Sequence, residues 1–238
     1  MIAMIRADLI TMRGYILQQL AICVLVILLI WIGTNDLFAG LVAAAVMLPF
    51  MYAFSIEAYD EMSGWERFRL TLPISRRQVA FGRYASILVV LAASNVLMLA
   101  VGILADAIQT ATQPIGLNMQ APITGNLAVG MAQMALASSI MLAVTAIALP
   151  IFLRIGMTKG TRLVPLAIVL LIVIGLGAIG NLSEESLASI PFLNSLLDPA
   201  AEPSWTLLGI CACTLCLALI LYAISALAAW RLYEGRQF

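Results

Sequence analysis

The chain has 238 residues, of which 63% are hydrophobic and only 10% charged; Lys plus Arg number 12, Asp plus Glu also 12, and histidine is absent. A soluble domain is nearer half apolar and a quarter charged, so a mean hydropathy of +1.08 points to an integral membrane protein. Without imidazole, zinc metalloproteases, Ser–His proteases and haem or copper carriers lose their usual ligand or base.

Residues 1–13 set Arg6, Asp8 and Arg13 among Met, Ile and Leu, the pattern of an elbow helix lying on the membrane surface. No small-residue cleavage site follows, so the first apolar run is expected to stay on the chain. Six runs, roughly 15–34, 37–56, 84–105, 127–153, 163–180 and 205–230, are each of the length that a crossing helix needs. The expected fold is therefore an all-α integral membrane protein of six spans in a single transmembrane domain, 1–238. Asn35 and Asp36 form a tight turn that makes the first two spans antiparallel neighbours.

Between the second and third spans lies residues 57–83, the one long charge-dense passage. Met62, Trp65, Phe68 and Leu72 recur at three- to four-residue steps, which places them on one face of a short amphipathic helix outside the bilayer. Pro73 ends it. Ser75 and Gln78 have the S-x-x-Q spacing of a capping box, so a new helix starts there and runs through Arg83 into the membrane. By pattern alone the passage is equally a solvated loop resting on headgroups or a helix that inserts its apolar face into a groove on a cytoplasmic protein.

Inside the spans, Pro49 and Pro150 are expected to kink their helices. Gln18, Gln19, Asn95 and Gln133 prefer a helix contact or a wet cavity to lipid, and of these Gln18, Asn95 and Gln133 are the candidates, by polarity, for lining a substrate path. No full charge falls in mid-membrane, which disfavours an ion-driven transporter. The connection 181–204 holds Leu187, Phe192, Leu193 and Leu196, and reads as one or two short helices at the outer interface, started near Ser183 and broken at Pro191 and Pro199.

The basic residues fix the orientation. With six spans every Lys and Arg falls on one side: Arg6 and Arg13; Arg67, Arg69, Arg76, Arg77 and Arg83; Arg154, Lys159 and Arg162; Arg231 and Arg236. By the positive-inside rule that side of the plasma membrane is the cytoplasm, with both termini in it. The opposite side carries acids alone, among them Asp36, Asp106, Glu184 and Glu202.

Other motifs reduce to packing. Gly175, Gly177 and Gly180 spell G-x-G-x-x-G but end an apolar helix, not a strand. The stretch 156–161, GMTKGT, lacks the spacing of a phosphate loop, so no ATP motif is present. Cys211, Cys213 and Cys216 are spread around a helix with no histidine or carboxylate near them, and no metal site is expected. Ser138 and Ser139 have no adjacent base, which leaves an intramembrane enzyme little chemistry.

The passage 57–84, EAYDEMSGWERFRLTLPISRRQVAFGRY, resembles the cytoplasmic signature of type-2 ABC transporter permeases, and most of all the short permeases that export phenol-soluble modulins and related amphipathic peptides. In that branch an acidic cluster at the end of the second span leads to an aromatic residue and then to an SLP-x-SR element opening the third. Here Glu57, Asp60, Glu61, Trp65 and residues 71–76 occupy those places, with Thr71 where serine is usual.

The resemblance implies a permease that forms a homo- or heterodimer in the lipid bilayer and docks a separate ABC ATPase subunit. Glu57, Asp60, Glu61, Met62, Trp65, Phe68, Arg69, Leu72 and Arg76 would form the ATPase-coupling region. ATP and magnesium would sit on the partner, with no cofactor in this chain and no nucleic acid involved. The expected substrate is an amphipathic or hydrophobic peptide; the alternatives are small hydrophobic drugs or lipids, or a non-transporting immunity or accessory protein.

Overall fold

The computed structural model describes residues 2–34, 37–64, 75–112, 127–157 and 205–234. Within them the chain forms five helices: α1 (Ile2–Thr34), α2 (Leu37–Met62), α3 (Arg76–Thr112), α4 (Leu127–Ile155) and α5 (Trp205–Glu234). Each contains a stretch long and apolar enough to cross a membrane, and the described residues include no strand. Hydrocarbon demands this, because a helix satisfies its backbone groups within itself where no water can. Pro49 and Pro150 lie inside α2 and α4, which continue through them.

Helices and apolar runs do not end together. α2 continues past residue 56 to Met62, and α3 begins at Arg76, well before residue 84. The expected span 163–180, the outer helices in 181–204 and the middle of the coupling passage, 65–74, lie outside the described residues.

The elbow helix expected over residues 1–13 is not set apart from the first span, since α1 runs unbroken from Ile2 to Thr34. Its inner face gives the reason. Met4, Asp8 and Met12, at four-residue steps, are all buried. Gly82 of α3 comes so close to Met4 that an added Cβ would lie 2.7 Å from its Cγ. The stripe that reads as a surface-seeking face is a helix–helix contact.

Pairwise contacts give each helix its direction. α1 and α2 are antiparallel: the Tyr15 and Tyr59 rings meet edge to face at 6.2 Å, Gln19 Nε2 donates to Ser55 Oγ at 3.0 Å, and Gly40 lies against Ile27. α3 is antiparallel to α2, held midway by Ser94 Oγ donating to the Ala45 carbonyl at 2.7 Å. α4 runs parallel to α2, with Phe38 over Gly130 near one end and Phe54 against Phe152 near the other. α5 runs parallel to α4: Cys211 packs with Ala132, and the Ser225 hydroxyl donates to the Ala146 carbonyl.

Two consequences follow. The described arginines, Arg6, Arg13, Arg76, Arg77, Arg83, Arg154 and Arg231, all fall toward one end of the bundle. And because α4 and α5 point the same way, the chain between them returns from that end to the other.

Candidate functional site

α2 and α3 meet at the basic end, and their facing ends are shaped by local chemistry. At the end of α2 the Ser63 N–H donates to the Tyr59 carbonyl at 3.0 Å, and Gly64 adopts φ 67°, a left-handed conformation that glycine takes at no steric cost. α3 opens with the capping box: the Gln78 N–H donates to Ser75 Oγ, and the Ser75 N–H to Gln78 Oε1, both at 3.2 Å. Residues 65–74 connect these two ends.

Immediately inside them is a buried charge cluster. Glu57 and Asp60, three residues apart, share the face of α2 that looks at α3. There the Arg83 guanidinium reaches three carboxylates from two other helices: Nε lies 2.9 Å from Glu57 Oε1, Nη2 bonds Asp60 Oδ2, and Nη1 lies 3.2 Å from Asp8 Oδ2 of α1. Ser86 Oγ sits between Asp8 Oδ2, at 3.4 Å, and the Arg83 carbonyl, at 2.9 Å. Arg83 is only 1% exposed and the three acids are 3–4% exposed. A planar fork of five donors is suited to this task, because it can address several carboxylates at once from a fixed geometry.

The same end of α3 is also tied to α5. Arg76 Nη1 donates to the Tyr233 carbonyl at 3.4 Å, in the last turn of α5, where the helix dipole favours a cation. The Arg77 guanidinium lies 4.8 Å from the Trp230 ring centre and 5.6 Å from that of Phe81. About two turns further along α3, the Tyr222 hydroxyl donates to the Tyr84 carbonyl at 3.2 Å, and the Tyr84 hydroxyl meets Ser225 Oγ at 2.8 Å. Since Ser225 in turn bonds the Ala146 carbonyl, α4 joins the same network.

These contacts join the end of α2 to α1 and α3 through Arg83, and α3 to α5 through Arg76 and Arg77. Breaking any one charged contact leaves a buried ion short of a partner, so the pieces move together more readily than apart.

Of the residues singled out by sequence, Glu57 and Asp60 are in this cluster and Arg76 bridges to α5. Glu61 is half-buried beside them, while Met62, 88% exposed, stands at the tip of α2. Trp65, Phe68, Arg69 and Leu72 lie outside the described residues. Asp8 and Arg83 belong to the site although the sequence did not mark them for it. Gln18, Asn95 and Gln133 do not converge: Gln18 is on an exposed face of α1, Asn95 Nδ2 bonds Ser138 Oγ at 3.2 Å between α3 and α4, and Gln133 lines a groove between α2 and α4.

No group of three or more potential metal ligands occurs among the described residues. A family model described as an ABC-2 family transporter protein matches residues 3–234. No curated protein and no solved structure matches the chain.

Proposed function

The chain belongs to the ABC-2 transporter family and is a membrane permease subunit of an ABC transporter, and from that premise we propose that it couples ATP hydrolysis on a separate ATPase subunit to export of amphipathic or hydrophobic peptides. Permeases of this family are transmembrane components that work with an ABC ATPase. In this reading the segment 62–72 is the coupling helix, its Met62, Trp65, Phe68 and Leu72 face seated on the ATPase. ATP and magnesium are held by that partner. Two permease subunits share the membrane, each with six spans, both termini in the cytoplasm and short helices on the outer side between the last two spans.

The observation that carries the proposal is the position of Arg83. It gathers α1, α2 and α3 directly behind the segment on which an ATPase would push. ATP binding by the partner then biases a two-state bundle through one rigid end. The parallel course of α4 and α5 supports the sixth span, and the shared end of the described arginines supports the orientation. The apolar interior and acidic outer connections favour a peptide with an apolar face.

The test is to purify the tagged protein in mild detergent as wild type and as the Trp65→Ala/Phe68→Ala double variant. An ATPase subunit that co-purifies stoichiometrically with wild type and is lost in the variant is the expected result. With the reconstituted complex, amphipathic peptides should raise the ATPase rate. Stimulation by lipids or dyes but not by peptides would transfer the substrate to those classes; no ATPase in either sample would favour an accessory binding protein.

A further inference from the structure

α2 and α4 each carry a proline inside a continuous helix, Pro49 and Pro150, and the residues leading into them echo each other, AVMLP over 45–49 and AIALP over 146–150. In an α-helix a backbone N–H bonds the carbonyl four residues back. Proline has no N–H, and its ring presses on that same carbonyl. The helix's own bond is therefore missing at Ala45 in α2 and at Ala146 in α4. In hydrocarbon no water is at hand to replace it.

Each of these carbonyls is met by a serine of another helix. Ser94 Oγ of α3 donates to the Ala45 carbonyl at 2.7 Å, and the Ser225 hydroxyl of α5 donates to the Ala146 carbonyl. Among the described residues these are the two places where a serine or threonine hydroxyl reaches a carbonyl of a different helix, and both lie four residues before a proline. Elsewhere such hydroxyls turn back on their own helix: Thr11 bonds the Ala7 carbonyl, Ser139 that of Ala135 and Thr145 that of Met141, each four residues back. Alanine at both acceptor positions has no side chain beyond Cβ to hold the serine away.

The donors are themselves held in place. Ser94 is buried and keeps a second acceptor at 2.9 Å, the Leu91 carbonyl of its own helix. Ser225 has one proton and spends it on Ala146, so in its 2.8 Å contact with Tyr84 the phenol is the donor. Tyr84 thus occupies the acceptor side of Ser225 and turns its proton toward α4.

We propose that Ser94 and Ser225 are positioning residues, each standing in for the N–H that a proline removes from the neighbouring helix, so that Pro49 with Ser94 and Pro150 with Ser225 form two matched joints. The proline frees its helix of one backbone bond and permits a bend there. The serine satisfies the carbonyl left over and sets which helix packs at that height, α3 on α2 and α5 on α4. The inference rests on helix geometry, and holds whatever the transporter exports and however its ATPase acts.

The experiment is a pair of double-mutant cycles on the full-length protein in mild detergent, read as the midpoint of thermal unfolding. Ser94→Ala and Ser225→Ala should each lower the midpoint by about 1–7 °C, the range for one such bond in a chain of this size. Pro49→Ala and Pro150→Ala restore the missing N–H. With Pro49→Ala in place, Ser94→Ala should lower the midpoint by less than about half as much, and so should Ser225→Ala with Pro150→Ala in place, because the carbonyl no longer depends on the serine. Crossing the pairs is the control: Pro49→Ala should leave the cost of Ser225→Ala intact, and Pro150→Ala that of Ser94→Ala. A serine that only fills space would cost the same whether proline or alanine faces it, and that result overturns the proposal. Unchanged midpoints in Ser94→Ala and Ser225→Ala overturn it by themselves, even if a proline variant does not fold.

Discussion

Arg83 is the residue on which three helices depend, and its burial sets the direction of every substitution there. Replacing one partner of a buried ion pair costs about 3–5 kcal/mol, because the charges left behind lose their compensation without regaining water. Arg83→Met should therefore shift thermal unfolding in detergent to markedly lower temperature, or abolish a monodisperse peak. Arg83→Lys should fall between, since an ammonium keeps the charge but not the fork. A methionine variant as heat-stable as wild type would show that the cluster contributes nothing to the fold. The sequence singled out two of its members, Glu57 and Asp60, as coupling residues and not as partners of Arg83. Glu57 and Asp60 stand together at a span end and match a family pattern, whereas Asp8 is 75 positions from Arg83, a separation that no periodicity bridges. The available signal was Asp8 itself, the one acid among the first thirteen residues, on the arginine-rich side.

At the scale of the element, the start of α3 was legible because a capping box is written within four consecutive residues. Ser75→Ala removes the acceptor for the Gln78 N–H and should cost about 1 kcal/mol of local stability. Hydrogen exchange at the Val79 amide, which donates to the Ser75 carbonyl at 3.2 Å, should quicken while exchange near Leu91 is unchanged. Equal rates at Val79 in both proteins would deny the cap its role. The other ends were less legible. Hydropathy marks where lipid begins, but α2 and α3 continue beyond it because their next residues, Glu57, Asp60 and Arg83 among them, are satisfied by one another. The first thirteen residues misled for a related reason: a face that packs on a neighbouring helix has the same period as one that floats on a membrane.

For the whole molecule, the parallel pair α4 and α5 makes a topological prediction. Single cysteines in a background lacking Cys23, Cys211, Cys213 and Cys216 should divide into two sets when treated with a membrane-impermeant thiol reagent. Positions 36, 126 and 204 should react from one side, and positions 63, 75 and 157 from the other. Position 204 reacting together with 157 would reverse α5 and remove the case for a crossing between residues 158 and 204. The expectation of six spans rests on all twelve basic residues falling on one side if the spans number six, and five of the helices, with their arginines toward one end, are among the described residues. The groove between α2 and α4 that Gln133 lines was not legible, since alanines at 39, 43 and 137 look like any other apolar residues until two helices are set side by side. The Arg83 cluster also imposes an order on biosynthesis. Asp8, Glu57 and Asp60 all leave the ribosome before Arg83, and at about 5–20 residues per second Asp8 waits roughly 4–15 s for its cation. The first two helices therefore enter the membrane as an acidic hairpin that only the third can clasp, and a chain cut short before Arg83 leaves those three carboxylates without that cation.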